Sequence, residues 1–264
     1  MTDILTVARK ELREIVGGGS GRKTLIREIF FVFLFGVFFP LSQSDAWRSG
    51  AVPTVFVFMI PLFLAGPYVA DTFAGERERK TLETLLATRL PDSSIYLGKI
   101  LAVCTYAWAV TQLILIASLV ALNIAGPSAD ASAAVRSAVN LAEESGGWFV
   151  YPGPVWVGAL AGSYASALLI SGIGTFISLR SETVRAAHQA MMLPLFVLIF
   201  GGSFGLGALW RALPVETQVS LARWASGVSP MEAIVGIVTT LLLVDVFLLR
   251  LGVRRFRRSK LISS

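Results

Sequence analysis

The sequence predicts an all-α membrane protein. Six transmembrane helices are joined by an N-terminal interfacial amphipathic helix, a short helix on a cytoplasmic connection and an outer re-entrant hairpin before the last span. Three observations carry this. Of 264 residues, 55% are hydrophobic and only 15% are charged, against about 25% charged in a typical soluble domain. The mean hydropathy is +0.70. The apolar residues gather into continuous runs rather than an alternating pattern, which excludes a transmembrane β-barrel. The composition also excludes a disordered chain, and a single cysteine, Cys104, excludes a disulfide scaffold.

Residues 2–16 read as an amphipathic helix. Ile4, Ala8, Leu12 and Ile15 share one face, while Arg9, Lys10, Arg13 and Glu14 fall elsewhere. Such a helix lies in the headgroup layer with its basic side toward anionic lipid. Gly17 to Gly21 breaks it. Spans follow at 29–44, 51–70, 100–125, 155–179, 191–209 and 233–249, measured against the roughly 20 apolar residues that cross a ~30 Å core. The first is the shortest and requires Arg27 to snorkel. Ser44-Asp45-Ala46 loosely fits a signal-peptide cleavage site, but four acids precede the run, which favours a retained span. Pro61 and Pro194 predict kinks in the second and fifth spans.

Four segments lie outside the spans, the first being the N-terminal helix. On the second connection Gly75 is expected to close the preceding helix and residues 76–88 to form a new one, ended by Pro91. Leu82, Leu85 and Leu86 make its apolar face, and Glu76, Arg79, Lys80 and Glu83 are spaced for ion pairs. Such a helix docks into a groove on a soluble partner or packs back under its own bundle, and the pattern alone leaves both open. The outer segment 126–153 is Ala-rich over 129–144 and carries Trp148-Phe149-Val150-Tyr151, which reads as an aromatic belt. The segment 210–230 is too apolar for a free loop and reads as a re-entrant hairpin buried against protein.

Charge sets the orientation. Nineteen of the 23 Lys and Arg residues fall on the N-terminal segment, the second and fourth connections and the C-terminal end. The positive-inside rule then places both termini in the cytoplasm, in an inner (cytoplasmic) membrane. The net charge of +6 is thereby a membrane signature, and no nucleic-acid partner is expected.

With one histidine, His188, and one cysteine, there is little material for a metal site or a Cys-His couple. Gly17 to Thr24 imitates a phosphate loop, but Arg22 stands where Gly must precede Lys, and a helix precedes it instead of a strand. Leu241 to Asp245 imitates a Walker B strand inside a span. No catalytic residue, cofactor or metal is therefore assigned to this chain, and it is not expected to be an enzyme. Asp245 is the one intramembrane charge, about 13 Å deep if Arg254 marks the boundary. An unpaired carboxylate there costs roughly 2.5–3.5 kcal/mol. The favoured partner is a cation of the second connection, Arg77, Arg79 or Lys80, or of a neighbouring span's cytoplasmic end; a transport role is the alternative.

The stretch from Ala70 to Leu86 follows the pattern A-D-x-x-A-G-E-R-E-R-x-T-L-E-x-L-L. It resembles the cytoplasmic loop of type-2 ABC transporter permeases, the membrane subunits of ATP-binding-cassette exporters. The N-terminal helix, the six spans and the apolar outer hairpin resemble that family as well. The resemblance implies that 76–88 is a coupling helix seated in a cleft of a separate ATPase subunit. Glu76, Arg77, Glu78, Arg79, Thr81, Leu82, Glu83, Leu85 and Leu86 would then be the coupling residues. It also implies two ATPase copies, a second permease protomer, and ATP and Mg bound only by the ATPase. Substrates vary widely in that family, so none is transferred. The leading reading is the permease subunit of an ATP-driven exporter. The alternative is a membrane anchor that recruits a cytoplasmic ATPase without translocation. An intramembrane enzyme using Asp245 is disfavoured by the lack of a second buried acid.

Overall fold

The protein is described by a computed structural model over residues 2–17, 21–81, 89–126 and 147–255. The Leu82–Thr88 part of the expected coupling helix, residues 127–146 of the outer segment and Gly18 to Ser20 lie outside the described residues. The described chain is helical. Helix α1 spans Thr2–Gly17. The predicted first span is built as a helical run of α2 (Gly21–Phe33), a π-helical turn (Leu34–Phe38) and α3 (Phe39–Ser42). After α4 (Ser44–Arg48) come α5 (Ala51–Glu78) and α6 (Asp92–Ala125). Then follow α7 (Gly153–Val157), a π turn (Gly158–Gly162) and α8 (Ser163–Arg180). The chain continues as α9 (Val184–Phe196), a π stretch (Val197–Gly205), α10 (Leu206–Ala212), α11 (Val215–Gly227) and α12 (Pro230–Arg255). Five helices are long and apolar enough to cross a membrane: Ala51–Glu78, Asp92–Ala125, Gly153–Arg180, Val184–Ala212 and Pro230–Arg254.

Helices α5, α6 and α8 form the centre. Helix α9 packs on α5, α12 on α8, and α1 lies along the start of α6. One apolar cluster fills the middle and the basic end, around Ile60, Val69, Phe73, Ile100, Ile170 and Met191. A second fills the other end, around Trp47, Val57, Leu122, Tyr151 and Val155. Lipid tails are as apolar as leucine, so polar ties and close packing hold such a bundle together. Ser178 of α8 shows the pattern. Its hydroxyl donates to the Ala70 carbonyl of α5 at 2.8 Å and accepts from the Phe73 and Ala74 amides. The π turn before α8 leaves carbonyls out of register, and α6 satisfies them. Trp108 Nε1 donates to Leu160 O at 3.0 Å, and Gln112 Nε2 donates to Ala159 O at 2.7 Å. Gly158 and Gly162, a sequence GxxxG pair, meet Val57 and Phe58 of α5; Gly201 and Gly205 meet no other helix among the described residues.

Several expectations are corrected. Helix α5 runs through Gly75 to Glu78, so no new helix starts at 76. A Cβ at Gly75 would collide with Asp71 Oδ1 and Arg79 Nη2, so the glycine makes room for that ion pair rather than ending the helix. Pro91 is the N-cap of α6, and Asp92 stands in its first turn. The aromatic belt splits by alternation: Trp148 and Val150 are exposed, whereas Phe149 and Tyr151 are buried, because the segment is extended and its side chains point to opposite faces. The 210–230 segment is not buried against protein within this chain. Val215, Val219 and Leu221 of α11 are exposed.

The buried Arg48 closes the end of the bundle opposite the basic one. Its guanidinium donates to Leu122 O at 2.5 Å and Gly126 O at 2.7 Å, at the C-terminus of α6, and lies over the Phe149 ring. A cation at that position satisfies terminal carbonyls and opposes the helix dipole. Burial lowers the Arg48 pKa, with Asp45 opposing it, and the group stays charged. Burial pushes the Tyr151 hydroxyl up to about 12, offset in part by its hydrogen bond to Ser118 and the Arg48 charge. Arg48→Met should therefore lower unfolding stability by about 1–3 kcal/mol, read as a drop in Tm of the purified protein in detergent. An unchanged Tm would contradict this role.

Candidate functional site

The segment singled out by sequence, Gly-Glu-Arg-Glu-Arg-Lys-Thr, is the end of α5. It terminates in a Schellman arrangement. Lys80 takes the left-handed conformation at φ +58; its amide donates to Arg77 O at 3.0 Å and the Thr81 amide to Glu76 O at 2.9 Å. These bonds satisfy the carbonyls that a helix end leaves free. Thr81 Oγ1 also donates to the Glu76 carboxylate.

Consecutive helical residues point about 100° apart, so four charged residues in a row aim in four directions. Glu76 Oε1 meets Lys99 Nζ of α6 at 3.2 Å. Arg77 donates to Leu179 O at 2.9 Å and Ser181 O at 3.0 Å, capping the C-terminus of α8. Glu78 Oε2 accepts from the Val184 amide at 2.9 Å, capping the N-terminus of α9 together with the Thr183 hydroxyl. Arg79 turns back on Asp71 at 3.2 Å. Both of the capping charges have the sign that the helix dipole favours.

Lys99 is the centre of this hub. Its side chain is 2% exposed, and Nζ also pairs with Glu11 Oε1 of α1 at 3.0 Å. One ammonium thereby joins α1, α5 and α6. Gly98 lets α1 approach, since a Cβ there would lie 2.7 Å from Val7. Lys10 balances the second carboxylate, at 3.5 Å from Glu11 and 3.1 Å from Glu14. Burial lowers the Lys10 pKa, but the Glu14 hydrogen bond and the charges of Glu11, Glu14 and Glu76 outweigh it and raise it above its ordinary value. A raised lysine pKa contributes stability that is complete below the ordinary value of 10.5 and is lost as pH rises from there through the raised value.

The hub includes Glu76, Arg77, Glu78, Arg79 and Thr81 of the sequence-predicted site. Leu82, Glu83, Leu85 and Leu86 lie outside the described residues. Sequence reasoning missed Glu11 and Lys99. The available signal was Glu11 beside Val7 and Ala8 on one flank of α1, and a lysine directly before an apolar run.

Asp245 stands apart from the hub. It is buried on α12, and neither carboxylate oxygen has a hydrogen-bond partner among the described residues. The cations expected to neutralise it do not: Arg77 holds carbonyls and Arg79 holds Asp71. The polar group in its field is Cys104 of α6, whose thiol is 3.4 Å from Ser171 Oγ of α8. A second acid does lie inside the bundle, contrary to expectation. Glu28 pairs with Arg27 at 2.9 Å, and both reach Tyr68, which donates to Tyr106 at 3.1 Å. Arg27 compensates that charge. His188 Nε2 lies 3.0 Å from Pro67 O, tying α9 to α5. Among the described residues no group of three or more His, Cys, Asp or Glu could hold a metal.

The arrangement defines a multi-pass helical membrane protein whose charged motif fastens the basic ends of four helices to one another. The chain matches the family model described as ABC-2 family transporter protein over residues 35–248, and it belongs to that family, the permease subunits of type-2 ABC transporters. It is 32% identical over 175 residues to the ABC transporter permease protein NatB of Bacillus subtilis (strain 168). The alignment covers 61% of this chain and 41% of that relative, so the match spans less than half of the relative's length. No solved structure matches.

Two predictions follow from this geometry. Lys99→Met leaves two buried carboxylates facing each other and should cost about 3–5 kcal/mol. Adding Glu11→Gln and Glu76→Gln should recover most of it, as read by thermal unfolding in detergent; no recovery would contradict the triad. Asp245→Asn removes a buried carboxylate that has no cation to lose, so its Tm should equal or exceed the parent's. A clear loss of Tm would mean that the carboxylate has a partner in the folded protein.

Proposed function

We propose that the chain is the permease subunit of an ATP-driven exporter in a cytoplasmic membrane, with six spans and both termini in the cytoplasm. The Gly21–Ser42 helical run supplies the first span and the five long helices the rest. A separate ATPase, in two copies, binds ATP and Mg and seats the second connection, from Thr81 at the end of α5 onward, as its coupling element. The observation that carries this reading is the hub. Residue 82 follows directly on Thr81, and Glu76, Arg77 and Glu78 bind α6, α8 and α9. A force applied to the chain just beyond Thr81 is therefore delivered to four helices and, through Lys99, to α1. A coupling element requires such a rigid connection, because interfaces amplify small shifts only when the packed elements move as units. The family membership and the permease name of the relative support the same reading.

A second permease protomer completes the path. Only 7% of the most apolar stretch of the Val184–Ala212 run is buried within this chain. Its exposed row of Phe196, Phe200 and Phe204 is the face left for that protomer. Asp245 has a transport role in this proposal, because its carboxylate has no hydrogen-bond partner among the described residues.

The test is copurification of co-expressed ATPase. Changing Leu82 and Leu86 to Asp should abolish it while membrane insertion is kept. Unchanged copurification would overturn the coupling assignment. Glu83→Ala should keep binding and reduce ATP-coupled turnover, since a rim charge orients more than it holds. ATP-dependent flux of substrate in proteoliposomes separates an exporter from a membrane anchor, which would show ATPase recruitment and no flux.

A further inference from the structure

Helix α1 uses one flank, Val7, Ala8 and Glu11, to dock on α6. Its next flank is left open. Leu5 and Val16 are 62% and 57% exposed. At about 100° per residue, Leu5, Leu12 and Val16 form a strip about 40° wide beside the docked flank. Arg9 and Arg13 fall just beyond that strip, both on the side away from α6. A groove of about 1190 Å³ runs between this face and α6, lined by Leu5, Arg9, Leu12, Arg13, Leu101 and Thr105. Across the groove from α1 to α6 the order is therefore cation, apolar strip, apolar helix.

The charges sort in the same way. Lys10 is engaged by Glu14 and Glu11. Arg9 and Arg13, one turn apart, make no hydrogen bond or ion pair with any described residue. Two uncompensated guanidiniums one turn apart suit the oxygens of a single phosphate, because the planar guanidinium binds that group through paired N–H donors. Leu101 and Thr105 belong to the first turns of the apolar part of α6, so the groove opens where headgroups meet hydrocarbon.

We propose that this groove binds one anionic phospholipid. Arg9 and Arg13 hold its phosphate, and an acyl chain covers Leu5, Leu12 and the Leu101–Thr105 flank of α6. The lipid then closes the open side of α1 while the Lys99–Glu11 pair closes the other, so α1 is held to α6 from both edges. This rests on the proposed topology, in which the basic end of the bundle faces a membrane surface rich in anionic lipid.

The test is native mass spectrometry of the full chain in detergent, titrated with dioleoyl phosphatidylglycerol and, in parallel, dioleoyl phosphatidylcholine. One phosphatidylglycerol should be retained saturably and in preference to phosphatidylcholine. Arg9→Gln with Arg13→Gln should weaken it about thirtyfold, equivalent to about 1 kcal/mol per guanidinium, with Tm unchanged. Lys10→Gln should alter it less than about twofold, because its charge is already paired. Equal retention of the two lipids, or equal losses in the Lys10 and Arg variants, would overturn the site in favour of diffuse attraction. A photoreactive phosphatidylglycerol should mark residues 5–13 and 101–105; marks confined elsewhere would overturn it too. Thiol labelling of a Thr2→Cys, Cys104→Ser variant in sealed vesicles reads the topology separately. A label on the outer side would refute that topology, while the lipid titration alone decides the site.

Discussion

The buried ammonium of Lys99, shared between Glu11 and Glu76, is the constraint on which the basic end of this permease depends. A charge at that depth is costly unless it is paired, and removing one partner of such a group costs far more than the pair itself contributes. Lys99 can therefore remain only while α1 and α5 are both in place. The reverse also holds, since the two carboxylates would repel each other without it. The interaction makes the positions of three helices conditional on one another. Gly98 allows the approach that brings Val7 against α6, and the Schellman end of α5 stops that helix where Glu76 can reach.

The other three charges of the motif extend the same logic to the next elements in the chain. Arg77 closes α8 and Glu78 opens α9, each with the sign that the helix dipole favours. Arg79 stays on its own helix with Asp71, exposed, where an ion pair contributes at most about 1 kcal/mol. The four residues thus differ in consequence although they alternate in sequence. At the opposite end Arg48 fastens α4 to the C-terminus of α6. Between the two ends the contacts are hydroxyl and carbonyl ties and close packing, as in Ser178 with α5.

Much of this was legible in the sequence, and the parts that were not have a common cause. The helical class and five of the spans follow from runs of apolar residues, because the bilayer imposes a length that composition reveals directly. The motif on the second connection was also visible. Its geometry was misjudged. The spacing of its charges suggests ion pairs within one short helix, whereas Glu76, Arg77 and Glu78 each have a separate long-range partner, and no local pattern encodes the separation of Glu11 from Lys99 or of Arg77 from Leu179. Glycine often ends a helix, so Gly75 suggests a stop; here it clears space for the Asp71–Arg79 pair. Asp245 lies on a helix long and apolar enough to cross a membrane, but the expected pairing with Arg77 or Arg79 is absent, because Arg77 holds the end of α8 and Arg79 holds Asp71.

Hydrogen exchange of the Lys99→Met variant in lipid nanodiscs, compared with the parent, tests the central claim most directly. If Lys99 fastens α1 and the end of α5 together, amide exchange should accelerate in both residues 2–17 and residues 76–81, with the opposite end around Arg48 unchanged. Acceleration confined to the residues next to position 99, with α1 as protected as in the parent, would contradict the account.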